Sequence, residues 1–121
     1  MAESQIVTAI RVWAAVAWAD GKLADAEADG LRRLIRTADL TSEERSQAAK
    51  LLEKKVDLPD AYLTNLNPDA RRGVYRAACR MAVVDHMFTA TERALLDRLR
   101  ILLGVPAEIA MEIEADIPGI R

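Results

Sequence analysis

The chain has 121 residues, of which 51% are apolar and 30% charged, with a formal net charge of −2. This composition excludes a disordered polypeptide and fits one soluble globular domain that buries roughly two-thirds of its unfolded surface. The small acidic balance gives no electrostatic footprint for nucleic acid, and the single cysteine, Cys79, excludes an internal disulfide and fits a reducing compartment.

The opening Met-Ala-Glu-Ser has no basic region, and the apolar run behind it is interrupted by Arg11. Neither a signal peptide nor a membrane span is expected there, and cytoplasmic residence follows. From about Ser4 to Ala19, apolar residues at Ile6, Ile10, Trp13, Ala14 and Ala17 recur at helical spacing, and Val7, Val12, Val16 and Trp18 cover the opposite side. This helix is therefore expected to be buried over most of its circumference, with Trp13 and Trp18 as core residues. Asp20-Gly21 ends it, glycine supplying a left-handed exit. A second helix runs from about Asp25 to Ala38, with Leu31, Leu34, Ile35 and Ala38 on one face.

Thr41-Ser42-Glu43-Glu44 has the form of a capping box, threonine at the N-cap and glutamate three residues on, and opens a third helix expected to reach about Val56. The segment Asp57 to Asn67 is irregular and reads as a connector, with a short helix after Pro59 that buries Tyr62, Leu63 and Leu66. Asn67-Pro68 starts the next helix, which carries Val74, Tyr75, Ala78, Cys79 and Ala82 to about Val84. Thr89-Ala90-Thr91-Glu92 is a second capping box; its helix carries Leu95, Leu96, Leu99, Leu102 and Leu103 and stops at Gly104. Pro106 opens a final helix to about Ala115. No segment alternates with a period of two, so the fold class is all-α with about seven helices in one domain over residues 1–121.

An internal repeat organises these elements. Ala17-Trp18-Ala19-Asp20-Gly21-Lys22-Leu23-Ala24-Asp25-Ala26-Glu27 returns as Ala82-Val83-Val84-Asp85-His86-Met87-Phe88-Thr89-Ala90-Thr91-Glu92, offset by 65 residues. The offset also places Ile10 on Tyr75, Ala14 on Cys79, Leu31 on Leu96, Leu34 on Leu99, Leu40 on Val105 and Glu43 on Glu108 without a gap. The chain thus reads as two helix-turn-helix units, about residues 5–55 and 68–116, packed as a compact bundle.

An apolar helix, Asp-Gly, an apolar residue and a glutamate in the next first turn, given twice, resembles the tellurite resistance TerB family over roughly residues 5 to 115. The same domain stands at the N-terminus of a membrane-anchored DnaJ-like co-chaperone. The resemblance implies two packed helical bundles, no catalysis, an acidic metal-binding site, and a stress-response scaffold role near membranes. The chain departs from the pattern at His86, where the family has glycine, a position histidine tolerates better than most residues.

Glu27 and Glu92 each head an apolar stripe and face the partner helices, where a carboxylate needs a compensating group. One reading is capping, the glutamate bonding back to its own N-cap amide and Asp20 and Asp85 closing their turns. The other is that Asp20, Glu27, Asp85 and Glu92 converge on a divalent cation, calcium or magnesium, which prefers such oxygen ligands. The Asp-to-Glu spacing is too short for an EF-hand loop.

Arg72, Arg76 and Arg80 form a basic stripe at four-residue spacing, either paired with neighbouring acids or a docking face for an acidic partner or anionic headgroups. Cys79 lies in an apolar helix as a small core residue, and lone His86 has no nucleophile beside it. The resemblance therefore implies a non-enzymatic stress-response binding module with a protein partner and peripheral membrane association, for which the four carboxylates offer a divalent-cation site on one of their two readings. The alternative is a metal-free helical adaptor, with a small metallo-hydrolase a distant third.

Overall fold

A computed structural model of the chain describes residues 5–19, 21–56, 58, 60–83 and 88–120. Seven α-helices follow in order: α1 (Gln5–Ala17), α2 (Asp25–Thr37), α3 (Ser42–Ala49), α4 (Asp60–Thr64), α5 (Pro68–Ala82), α6 (Ala90–Leu103) and α7 (Ala107–Ala115). No strand occurs among the described residues, and no helix there is long and apolar enough to cross a membrane.

The 65-residue offset read from the sequence holds for the helices. α2 and α6 begin 65 residues apart, α3 and α7 begin 65 apart, and α1 and α5 end 65 apart. The reason is visible in the burial pattern. Ile10, Ala14, Ala17, Leu31, Leu34, Ala38 and Ala48 are all buried, and so are Tyr75, Cys79, Ala82, Leu96, Leu99, Leu103 and Ile113 at the matching positions. α1 packs chiefly on α5, and α2 and α6 lie against both, so each unit's central helix is covered by the other unit. Trp13 is completely buried, while Trp18 packs at the edge of the core.

Local chemistry sets the helix ends. Gly21, at φ +83°, makes the exit after α1 that its sequence context predicts, and Gly104, at φ +68°, ends α6 in the left-handed conformation. Thr41 and Glu44 form the reciprocal capping box, at 3.1 and 2.9 Å, and the Asn67 side chain accepts from the Ala70 amide at 2.8 Å ahead of Pro68. The third helix is shorter than its sequence suggests. It stops at Ala49 and tightens into a 3₁₀ turn, Lys50–Leu52, instead of continuing to Val56. Trp18 Nε1 donates to the Leu51 carbonyl at 2.7 Å, taking an acceptor that a continuing helix would use, and Leu51 and Leu52 turn in against the core.

Arginines bind several of the remaining exposed carbonyls. Arg45 donates to the carbonyls of Ile35, Arg36 and Ala38 and closes the C-terminus of α2. Arg71 donates to Leu63, Leu66 and Leu103 at 2.7, 2.9 and 3.1 Å, fastening the connector and the end of α6 to the start of α5. Cationic side chains on helix C-terminal carbonyls satisfy both the hydrogen bonds and the helix dipole.

Candidate functional site

Glu92 sits in the first turn of α6, three residues past the N-cap Thr89. The Glu92 amide donates to Thr89 Oγ1 at 3.1 Å, and the Thr89 amide donates back to Glu92 Oε1 at 2.9 Å. One carboxylate oxygen is thereby used in capping. The other, Oε2, accepts from Arg33 Nη2, which reaches across from α2. Glu92 is only 1% exposed, so the guanidinium is the positive charge that makes its burial tolerable. Gly30 of α2 faces this carboxylate; a methyl group there would stand 3.7 Å from Glu92 Cγ, an ordinary contact.

Glu27 occupies the matching place in α2. Its Oε1 accepts from the Ala24 amide at 3.3 Å, but the N-cap is alanine and returns no side-chain bond, so only half a capping box exists. Its Oε2 lies 3.6 Å from Arg98 Nη1 of α6. Arg98 also donates to the Val16 carbonyl at 2.7 Å, holding the last turn of α1.

The two pairs are crossed. Arg33 and Arg98 are separated by the same 65 residues as Glu27 and Glu92, so each repeat's carboxylate meets the other repeat's guanidinium. The crossing is not equally strong on its two sides. Arg33 and Glu92 side chains are 11% and 2% exposed, whereas Arg98 and Glu27 are 42% and 19% exposed. Neither arginine stands out from composition or spacing alone. The signal was the offset itself, read at charged positions as well as at apolar ones.

Asp20, Asp85 and His86 lie outside the described residues. Among the described residues, no three Asp, Glu, His or Cys side chains come together as a metal-binding group. For the two carboxylates that are described, a hard cation competes with partners already in place. Calcium and magnesium want several anionic oxygens, and each glutamate here shares its oxygens between a backbone amide and a guanidinium.

A second polar cluster ties α7 to the bundle. Buried Tyr75 donates its hydroxyl to Glu114 Oε2 at 2.6 Å, and Arg93 Nη1 donates to Glu114 Oε1 at 2.8 Å. Arg93 also pairs with Asp97 at 2.7 Å and lies over the Phe88 ring at 5.9 Å. Burial, reinforced by the hydrogen bond to Glu114, raises the Tyr75 phenol well above its ordinary value. Burial opposes the Arg93 charge, yet its bonds to Glu114 and Asp97 prevail and raise its pKa. Burial likewise pushes the Cys79 thiol up to about 12. It is protonated at neutral pH and is a core residue, as its place in an apolar helix predicts.

Two of the three arginines of the basic stripe on α5 lie beside acids. Arg72 lies 3.9 Å from Asp69, and Arg72 and Arg76 share a shallow cleft of about 250 Å³ with Glu112 and Asp116. Arg80 is exposed.

A family model described as tellurite resistance protein TerB matches residues 6–115, nearly the whole chain. No curated protein and no solved structure matches it.

Proposed function

The chain belongs to the tellurite resistance protein TerB family, and from that membership we propose a non-enzymatic, stress-response binding module that works as a metal-free helical adaptor for a protein partner. The observation that carries this reading is the crossed pairing of Glu27 with Arg98 and Glu92 with Arg33. The glutamate of each repeat is matched by an amide of its own helix start and by a guanidinium of the opposite repeat, so its work is to clasp the two units together. Binding then falls to the outer surface of the clasped bundle, where Ile101, Leu102 and Met111 stand exposed. The thiol is protonated and buried, which leaves it a poor nucleophile.

The second reading, a cation held by Asp20, Glu27, Asp85 and Glu92, is favoured by the matched positions of two inward-facing carboxylates. For that reading the arginines must release their glutamates as the ion enters. Thermal melts separate the two. Metal-stripped protein is unfolded in millimolar calcium, magnesium or manganese and again in chelator. A resident ion stabilises by RT ln(1 + [L]/Kd), about 2.7 kcal/mol at a hundredfold excess over Kd. The adaptor predicts superimposable melts. A cation-dependent rise in midpoint that Glu27→Gln abolishes would replace it with the cation site.

A further inference from the structure

The polar cluster under α7 has no counterpart in the first repeat. Glu114 gives one oxygen to Arg93 Nη1 at 2.8 Å and the other to the Tyr75 hydroxyl at 2.6 Å, with Arg93 Nη2 3.4 Å away. The residues 65 positions before Tyr75, Arg93 and Glu114 are Ile10, Ala28 and Ala49, whose side chains can make none of these bonds. The packing differs in the same place. Among the described residues, α3 packs on both α1 and α2, whereas the one helix on which α7 packs broadly is α5. α6 reaches α7 through the guanidinium of Arg93. Apolar side chains would hold a permanently docked helix at least as well as a buried ion pair. Bonds that are lost together suit a helix that comes away.

α7 is also a poor helix by itself. It is 9 residues long, shorter than the roughly 12–15 at which an isolated helix becomes even marginal. Its N-cap, Pro106, makes no side-chain bond, and its last turn has no basic residue. Glu108 suits the first turn, but Glu112 and Glu114 stand in the last turn and Asp116 follows them, all at the negative end of the helix dipole. Residues 107–120 contain no lysine, arginine or histidine to offset these acids. The bundle supplies the offset: Arg93 meets Glu114, and Arg72 and Arg76 share a cleft with Glu112 and Asp116. α7 is thus helical because it is docked, and undocking and melting are one event. Ala110, Ile113, Ile117 and Ile120 are buried, so the docked form prevails.

We propose that α7 and the tail behind it, residues 106–120, form a strap latched by Tyr75, Glu114 and Arg93, which opens as one unit while α1, α2, α5 and α6 stay folded. The hinge is Pro106. Just before it, Arg71 holds the Leu103 carbonyl at 3.1 Å, Arg100 holds the Val105 carbonyl at 2.9 Å, and Val105 is buried. Opening bares Tyr75 and the side of α5 around it. The strap carries neither Glu27 nor Glu92, so it goes beyond the adaptor reading and does not depend on it; a cation-dependent melt would overturn that reading and leave the strap standing.

Native-state amide hydrogen exchange on the full chain, read residue by residue in urea concentrations below the unfolding transition, tests the strap. The reporters are the amides of Ala110, Asp116 and Ile117, which donate to the carbonyls of Pro106, Ile113 and Glu114. In the parent they should exchange at least about tenfold faster than the slowest amides of α1 and α5, and with a shallower urea dependence, because opening exposes little surface. Tyr75→Phe removes a bond made only in the closed form, so strap exchange should quicken by about tenfold. Core exchange should quicken by the same factor, since the closed form is the reference for both. Arg98→Met weakens contacts that persist when the strap is open, to Val16 and Glu27. It should speed the slowest α1 and α5 amides by about fivefold or more and leave the strap within about twofold of the parent.

Strap amides that share the rate and the urea dependence of α1 and α5 would overturn the proposal, because α7 would then leave only in global unfolding. Arg98→Met speeding the strap as much as the core would overturn it for the same reason. Strap exchange that Tyr75→Phe leaves unchanged would show that α7 frays without the latch, and would overturn it as well.

Discussion

Replacing Arg33 with methionine tests the clasp most directly. Methionine keeps much of the aliphatic volume but removes the charge, and Glu92, 1% exposed, is left as a buried carboxylate whose Oε2 has lost its guanidinium. Breaking a buried pair in this way costs about 3–5 kcal/mol, a large part of the roughly 5–15 kcal/mol that holds a domain of this size together. The pseudo-equivalent change, Arg98→Met, removes a half-exposed contact of 3.6 Å to Glu27 and one hydrogen bond to Val16. Its cost should be about 1–2 kcal/mol, since exposed pairs contribute under about 1 kcal/mol and a hydrogen bond about as much. Glu92→Gln placed on top of Arg33→Met keeps an oxygen for the Thr89 amide and removes the stranded charge. The double variant should therefore regain about 2 kcal/mol of what Arg33→Met alone loses. Urea unfolding followed by circular dichroism on the parent and four variants, Glu92→Gln alone included, measures all of this, provided the slopes agree. If Arg33→Met cost no more than Arg98→Met, or if the double variant were as unstable as the sum of its parts, the crossed pairs would not be the clasp described here.

Three other outcomes follow from the same structure. Gly21 has φ +83° and open space around it, so Gly21→Val should lose about 1–2 kcal/mol through the backbone alone, seen as a lower melting midpoint; a melt equal to the parent's would refute that turn. Gly73 lies inside α5, and the nearest atoms a methyl group there would meet belong to the end of the exposed, flexible Gln5 side chain; Gly73→Ala should therefore stabilise by about 0.5–1 kcal/mol, and a loss in urea unfolding would show that Gln5 cannot move aside. The Tyr75 phenol and the Cys79 thiol are both held above their ordinary values, 10.0 and 9.0, with Cys79 near 12, so the native state binds protons that the unfolded chain gives up. Their contribution is fully present below about pH 9 and is lost as pH rises toward 12. Cys79 should resist alkylation until the protein unfolds, and Cys79→Ala should flatten the alkaline fall of stability; a thiol that reacts freely in folded protein at pH 8 would contradict its burial.

The sequence by itself determined the helices, the repeat and much of the core. Those features follow from short-range rules. Apolar spacing fixed the stripes of α2 and α6, threonine and glutamate three residues apart fixed the starts of α3 and α6, and Asn67-Pro68 fixed the start of α5. The inward position of Glu27 and Glu92 was legible for the same reason, as was the capping bond each makes to its own helix. Their partners were decided by tertiary structure. Arg33 and Arg98 stand six residues after those glutamates, off the apolar stripe, and only the packing of α2 beside α6 brings each to the opposite carboxylate. The early end of α3 has a similar cause, because the Leu51 carbonyl is claimed by an indole 33 residues away. The exposure of Ile101 and Leu102 was decided there too. On the sequence, Leu102 continues the α6 stripe that Leu103 completes, yet the bundle covers Leu103 fully and leaves Leu102 at the lip of a groove. Helical periodicity says which residues share a face; which part of that face is covered depends on where the neighbouring helices end.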